Sequence, residues 1–244
     1  MVRERTIEAP VETGRHGGLS YALWLPDQPA AGAMLILHGA GSCKESHFDF
    51  GRASRDMGLA ALAFDQRGHG ESEGSMGAGA VDDVVAMAAL LRERMSPAVP
   101  ADRPLPLALR GSSMGGYLAL VSARPAAADA IVAICPASSE HLLRGLRDDR
   151  FEFDADPAGL EQLFAAHDAE TAAAQLTCPL LLLHAEGDEQ IPPDHSRALY
   201  ETAGPVRARL SVMPGGHHRS IQHAGALQGE SLRFVRRAFG APRR

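Results

Sequence analysis

Short apolar runs recur along this chain with longer amphipathic stretches between them. The runs fall at 33–37, 59–64, 105–109, 130–135 and 179–183, and 208–213 closes the series. Consecutive apolar positions bury both faces of a strand, which is what a parallel sheet held between two helical layers requires. Helical patterning occupies 44–57, 80–94, 116–124, 194–202 and 224–239. Strands that alternate with helices predict an α/β fold, a doubly wound and mostly parallel sheet of about eight strands. The opening stretch 6–26 alternates instead, around Leu19-Ser20-Tyr21-Ala22-Leu23-Trp24-Leu25, and predicts antiparallel edge strands. Residues 27–32 form a turn.

One interval breaks the rhythm. About forty residues, 136–177, separate the run ending at Cys135 from the one starting at Pro179, far more than an ordinary connection. The interval holds the charged segment Arg144-Gly145-Leu146-Arg147-Asp148-Asp149-Arg150 and a helical stretch at 157–167. An insertion at the carboxyl end of a strand lies over the ligand side of such a sheet, so 136–177 is expected to be a small cap. With no linker-like segment and no internal repeat, residues 1–244 read as one domain. Pro104 and Pro106 stand at the entry to a central strand; Pro106 cannot donate to the ladder and belongs at the strand's first position or at a bulge.

Composition narrows the partners. A formal charge of −6 argues against nucleic acid. Arg233, Arg236, Arg237, Arg243 and Arg244 gather at the end, where cations favour a helix C-terminus. The first residues lead into no apolar signal core, and no run reaches the roughly 18 apolar residues of a membrane span. A soluble, cytoplasmic protein is therefore expected; oligomeric state is not legible. Cys43, Cys135 and Cys178 are odd in number and widely spaced, which suggests reduced thiols, with Cys135 and Cys178 as small core residues.

The chemistry is expected at Ser113. Gly111-Ser112-Ser113-Met114-Gly115 lies between an apolar run and a helical one, so it reads as strand, sharp turn, helix. In a chain with 25 glycines the pentapeptide alone is a weak signal, and Gly70-Glu71-Ser72-Glu73-Gly74 repeats it. Ser72, however, stands away from its upstream strand, between two carboxylates that would oppose an oxyanion. A serine hydroxyl needs a base, and the base needs a carboxylate to orient it. Asp188 stands just beyond the run at 179–183, and Pro214-Gly215-Gly216-His217-His218 follows the run at 208–213. His217 and His218 both remain candidates for the base. Oxyanion donors are expected from the amides of Met114 and of Ala40, in the glycine-rich His38-Gly39-Ala40-Gly41. His38 and His223 read as loop-shaping residues. His217, His218 and His223 lack a ligand spacing, so no metal and no cofactor is assigned.

These segments, with Phe64-Asp65-Gln66-Arg67-Gly68-His69-Gly70-Glu71-Ser72, occur in an order that resembles the α/β-hydrolase fold serine hydrolases. The resemblance spans 35–219. It implies a triad in the chain order serine, acid, histidine, favours His218 because His218-Arg219 is similar to the histidine turn of related loops, and makes Asp65, Arg67 and His69 scaffold. The activity it implies is hydrolysis of small-molecule carboxylic esters through an acyl-enzyme, and the small cap and few aromatics favour small or medium acyl groups. A thioesterase or peptidase of the same fold is the alternative, and a non-catalytic binding module the distant one. Arg144, Arg147 or Arg150 could meet an anionic substrate, although exposed cap arginines more often face water.

Overall fold

The computed structural model describes residues 9–95, 105–148 and 152–240. Residues 6–8 of the expected first strand, Pro104, Asp149, Arg150, Arg243 and Arg244 lie outside them. Eight strands form one sheet: β1 (Glu12–His16), β2 (Leu19–Trp24), β3 (Ala33–Leu37), β4 (Ala60–Phe64), β5 (Leu107–Ser112), β6 (Ala130–Ile134), β7 (Leu180–Ala185) and β8 (Ala208–Met213). Their order is β1-β2-β4-β3-β5-β6-β7-β8. All pairings are parallel except β1 with β2 and β2 with β4. Only β1 of the N-terminal pair is an edge strand. All six residues of β2 are buried between β1 and β4, so the expectation of two edge strands is corrected.

Side-chain alternation divides the core into two layers. Ala33, Leu35 and Leu37 of β3 face one, with Val84, Met87 and Leu91 of α2 (Ala80–Met95), Leu118 of α3 (Met114–Val121) and Leu199 of α7 (Pro193–Ala203). Met34 and Ile36 face the other, with Phe50 of α1 (Phe48–Asp56) and Leu232 and Val235 of α8 (Gly225–Gly240). This two-residue period, buried on both sides, is the reason the central runs read as continuously apolar.

Several boundaries move. The helix expected from residue 44 opens as a 3₁₀ turn, Lys44–His47, before α1. Strand β5 begins at Leu107, directly after Pro106, whose carbonyl accepts from the Ala33 amide at 2.8 Å. It then continues past Leu109 through Arg110, a fully buried charge whose guanidinium lies 3.8 Å over the Phe50 ring and donates to the Gln222 carbonyl. Helix α3 starts at Met114, two residues earlier than its apolar pattern.

Among the described residues, 136–177 hold three helices, α4 (Ser139–Arg147), α5 (Pro157–Ala166) and α6 (Ala169–Ala174). Ser138 caps α4 by accepting the His141 amide, Asp168 caps α6 by accepting the Thr171 amide, and Pro157 occupies the first turn of α5, where a missing N–H costs nothing. Before α5, residues 154–156 pair with the loop after β4: Asp154 N–H donates to Gly68 O, Met76 N–H to Asp154 O, and Asp156 N–H to Met76 O.

Candidate active site

Ser113 sits at the carboxyl end of β5 with φ 54° and ψ −119°, a conformation that costs a non-glycine residue about 1–3 kcal/mol. The surroundings impose it. The Ser113 amide donates to Ile134 O on β6, and the Ser113 carbonyl accepts from the Tyr117 and Ala137 amides. A Cβ on Gly111 would lie 1.9 Å from Gly115 O, and one on Gly115 would lie 2.3 Å from Leu37 O. No larger residue fits at either position while the turn keeps this shape. The fold thus carries Ser113, partly exposed, on a turn between strand and helix.

Asp188 and His218 come together from the loops after β7 and β8. Asp188 Oδ2 lies 2.7 Å from His218 Nδ1, while Oδ1 accepts the amides of Gln190 and Ile191, each at 2.9 Å. A second imidazole approaches the same oxygen: His184 Nε2 is 3.3 Å from Oδ2 and 2.9 Å from Ile191 O, and His184 Nδ1 pairs with Ser196 Oγ. Burial by itself raises the Asp188 pKa, but the hydrogen bonds from His184, His218 and the Ile191 amide outweigh it and hold the carboxyl well below the usual range. Among the described residues no hydrogen bond joins Ser113 Oγ to an imidazole. Of the two candidate histidines, His218 is buried against the acid and His217 is exposed, its amide bonded to Ser220 Oγ.

The segment after β3 lies against the serine turn, where a Cβ on Gly39 would stand 3.2 Å from Ser113 Cβ. The Ala40 amide donates to no other described residue, and Met114 is the first residue of its helix, with no carbonyl four residues back inside it. His38 is buried; its Nδ1 meets Gly39 O at 2.8 Å and its Nε2 accepts the Gln66 amide at 3.0 Å. Burial lowers its pKa to about 4, so it is neutral at pH 7.

The other singled-out residues have structural partners. Asp65 accepts the Lys44 amide and ammonium and the Glu71 amide. Arg67 clasps Asp83, and the His69 ring stacks on Phe153 at 4.1 Å. Ser72 Oγ donates to Asp65 O and accepts the Ser20 amide, which ties it down as a structural hydroxyl. His223 Nδ1 lies 3.3 Å from Asp49 Oδ2. Arg144 pairs with Glu140 on the exposed side of α4, and Arg147 is exposed. A cavity of about 230 Å³ between α3 and α6 is lined by residues such as Leu120, Arg124, Asp168 and Cys178, and by none of Ser113, Asp188 and His218.

Two residues near this centre were not anticipated. His184 directly follows the apolar run at 179–183 and carries no role in the sequence reading. Cys135 reads as core filler, yet its ligand atom lies within 4.8 Å of those of Asp188 and His218. Its position after a strand end level with Ser113 was the available signal.

A family model described as serine aminopeptidase, S33, matches residues 28–147 and 157–223. A monoacylglycerol lipase of Mycolicibacterium smegmatis is 26% identical over 239 residues, covering 81% of this chain and 85% of that protein. The uncharacterized protein YfhR of Escherichia coli K12 is 26% identical over 221 residues, covering 86% of this chain and 72% of that protein. Among solved structures, Est1E of Butyrivibrio proteoclasticus with bound ferulic acid has a TM-score of 0.73 at 17% identity, over 94% of this chain and 100% of that one. A soluble variant of Saccharomyces cerevisiae monoglyceride lipase in complex with a substrate analog has a TM-score of 0.72 at 14% identity, over 98% of this chain and 97% of that one. At such identities the structural likeness speaks for the fold. No helix among the described residues is long and apolar enough to cross a membrane.

Proposed function

Since the chain belongs to the serine aminopeptidase, S33, family of α/β hydrolases, we propose that it is a serine hydrolase that cleaves carboxylic esters of small or medium acyl groups through an acyl-enzyme. The observation that carries this is the Asp188–His218 pair, held at the same end of the sheet as the strained turn of Ser113. With its Nδ1 proton donated to Asp188, the neutral His218 imidazole keeps its Nε2 lone pair for the Ser113 proton. Ser113 Oγ then attacks the carbonyl carbon, and the amides of Ala40 and Met114 receive the oxyanion. His218 returns the proton to the leaving alcohol, and a water molecule repeats the sequence to release the acid. Contacts between nucleophile and base are commonly long in a substrate-free site and tighten on binding. The scheme uses no cofactor.

The ester reading draws on the monoacylglycerol lipase relative. The family description favours a second reading, a peptidase, because the same machinery attacks amides. Replacing Ser113 by alanine is expected to lower ester turnover by several orders of magnitude and to abolish labelling by a fluorophosphonate, with the fold intact by circular dichroism. Parallel assays on nitrophenyl esters, acyl-coenzyme A and aminoacyl amides separate esterase from thioesterase and peptidase. Failure of the intact protein to take the label would leave a binding module as the surviving account.

A further inference from the structure

Thiol, imidazole and carboxylate meet in one buried cluster. Ligand atoms of Cys135, Asp188 and His218 lie within 4.8 Å of one another. The three residues are 1%, 9% and 8% exposed. Backbone hydrogen bonds fix two of them. Cys135 holds φ 41° and donates its amide to Leu183 O at 2.8 Å, which places it where β6 ends beside β7. The amides of Gln190 and Ile191 occupy Asp188 Oδ1 and leave Oδ2 turned towards the imidazole. His184 Nε2, 3.3 Å from Oδ2, supplies the outer hydrogen bond that ligating carboxylates usually have.

Sulfur, nitrogen and oxygen donors together suit Zn²⁺; Mg²⁺ and Ca²⁺ select oxygen. In a tetrahedral zinc site the ligand atoms stand roughly 3.2–3.8 Å apart, so side-chain adjustments of about 1 Å bring the three atoms onto one ion. We propose that Cys135 Sγ, Asp188 Oδ2 and His218 Nδ1 form an inhibitory zinc site built into the acid–base pair. The ion is a competitor of the reaction, not its cofactor.

The exchange balances without a redox step. As zinc bonds to sulfur, the thiol proton leaves to solvent. As it bonds to Nδ1, the imidazole stays neutral by carrying its proton on Nε2. The 2.7 Å contact between Asp188 and His218 opens around the ion. Nε2 then holds a proton and has no lone pair for the one on Ser113. Inhibition, though not binding, rests on the proposed role of His218.

The test separates the two. Cobalt(II) and zinc are titrated into the Ser113→Ala protein, with binding read by calorimetry and by the near-ultraviolet absorption of a thiolate–cobalt bond. One ion per chain is expected. The cobalt–thiolate band should vanish and zinc affinity should fall by at least about tenfold in Ser113→Ala carrying either Cys135→Ala or Cys135→Ser, and persist with Cys43→Ser. In the otherwise unmodified chain, zinc should suppress ester turnover, a chelator should restore it, and magnesium should do nothing. Absent binding, or binding that either folded Cys135 variant leaves undiminished, overturns the site. An intact chain that shows the cobalt–thiolate band but never turns over an ester would instead sink the esterase reading and leave the metal site standing.

Discussion

A carboxylate that orients an imidazole has to stay ionised while buried, and Asp188 does so with four contacts, from Gln190, Ile191, His218 and His184. Asp188→Asn should lower kcat by about 10⁴-fold, since the amide stabilises the wrong imidazole tautomer and no imidazolium. His184 is a positioning residue, acting through Asp188. His184→Leu should cost about a hundredfold in kcat through a misplaced acid, and leave Ser196 Oγ and Ile191 O without a partner at about 1–3 kcal/mol of stability. Steady-state kinetics of the double variant checks the route: kcat no lower than that of Asp188→Asn alone means His184 works through the acid, whereas additive losses would refute it. Ser113 and Asp188 were legible because each follows an apolar run that ends at the same sheet edge. His184 and Cys135 were not, because a histidine just past an apolar run and a cysteine at the end of one carry no signal until a second strand is placed beside them.

At the scale of elements, two sharp turns hold the centre, and their glycines mark both. Gly111 and Gly115 close the turn at Ser113. Gly68, with φ +75°, lets the insertion come against the loop after β4, because a Cβ there would lie 1.8 Å from Asp154 O. Gly68→Ala should displace 152–156, removing the pairing with Gly68 and Met76 and adding about 1–2 kcal/mol of left-handed backbone strain. Faster cleavage of 136–177 in limited proteolysis, with a lower Tm, is the expected outcome; an unchanged digestion pattern would show that this pairing does not hold the insertion down. Runs with both faces buried were readable to within a residue or two, as at 33–37 and 59–64, which match β3 and, but for Leu59, β4; 208–213 matches β8, an edge strand of which only Ala208 is buried. The apolar run stops short of the end of β5 because Arg110 carries a charge, and that charge is met by the ring of Phe50 and the carbonyl of Gln222, which are far away in sequence. Helices α4 and α6 are short and owe their ends to the caps Ser138 and Asp168, a weaker signal than a long apolar stripe.

Across the whole molecule, burial sets the response to acid. Desolvation brings the His38 and His195 pKa values down to about 4 and lowers those of His47, His69 and His141, against 6.5 for an unfolded histidine. Between pH 6.5 and about 4 the unfolded chain therefore binds protons at His38 and His195 that the folded chain refuses. Stability rises with pH wherever the unfolded state holds more protons, so here it must fall as the pH falls, by up to about 1.4 kcal/mol per pH unit for each of these two histidines. The depressed carboxyl of Asp188 acts in the same direction but in a lower window. Its contribution is complete above its unfolded value of 3.8 and drains away only as the pH drops further. Thermal melts from pH 7.5 downward should show Tm declining already near pH 6, above the range where ordinary carboxylates titrate. His195→Gln, which removes one of the refused protons from the edge of α7, should flatten that slope by up to about 1.4 kcal/mol per pH unit. A Tm that stays level to pH 5 and drops only below it would mean that carboxylates, not buried imidazoles, govern acid unfolding.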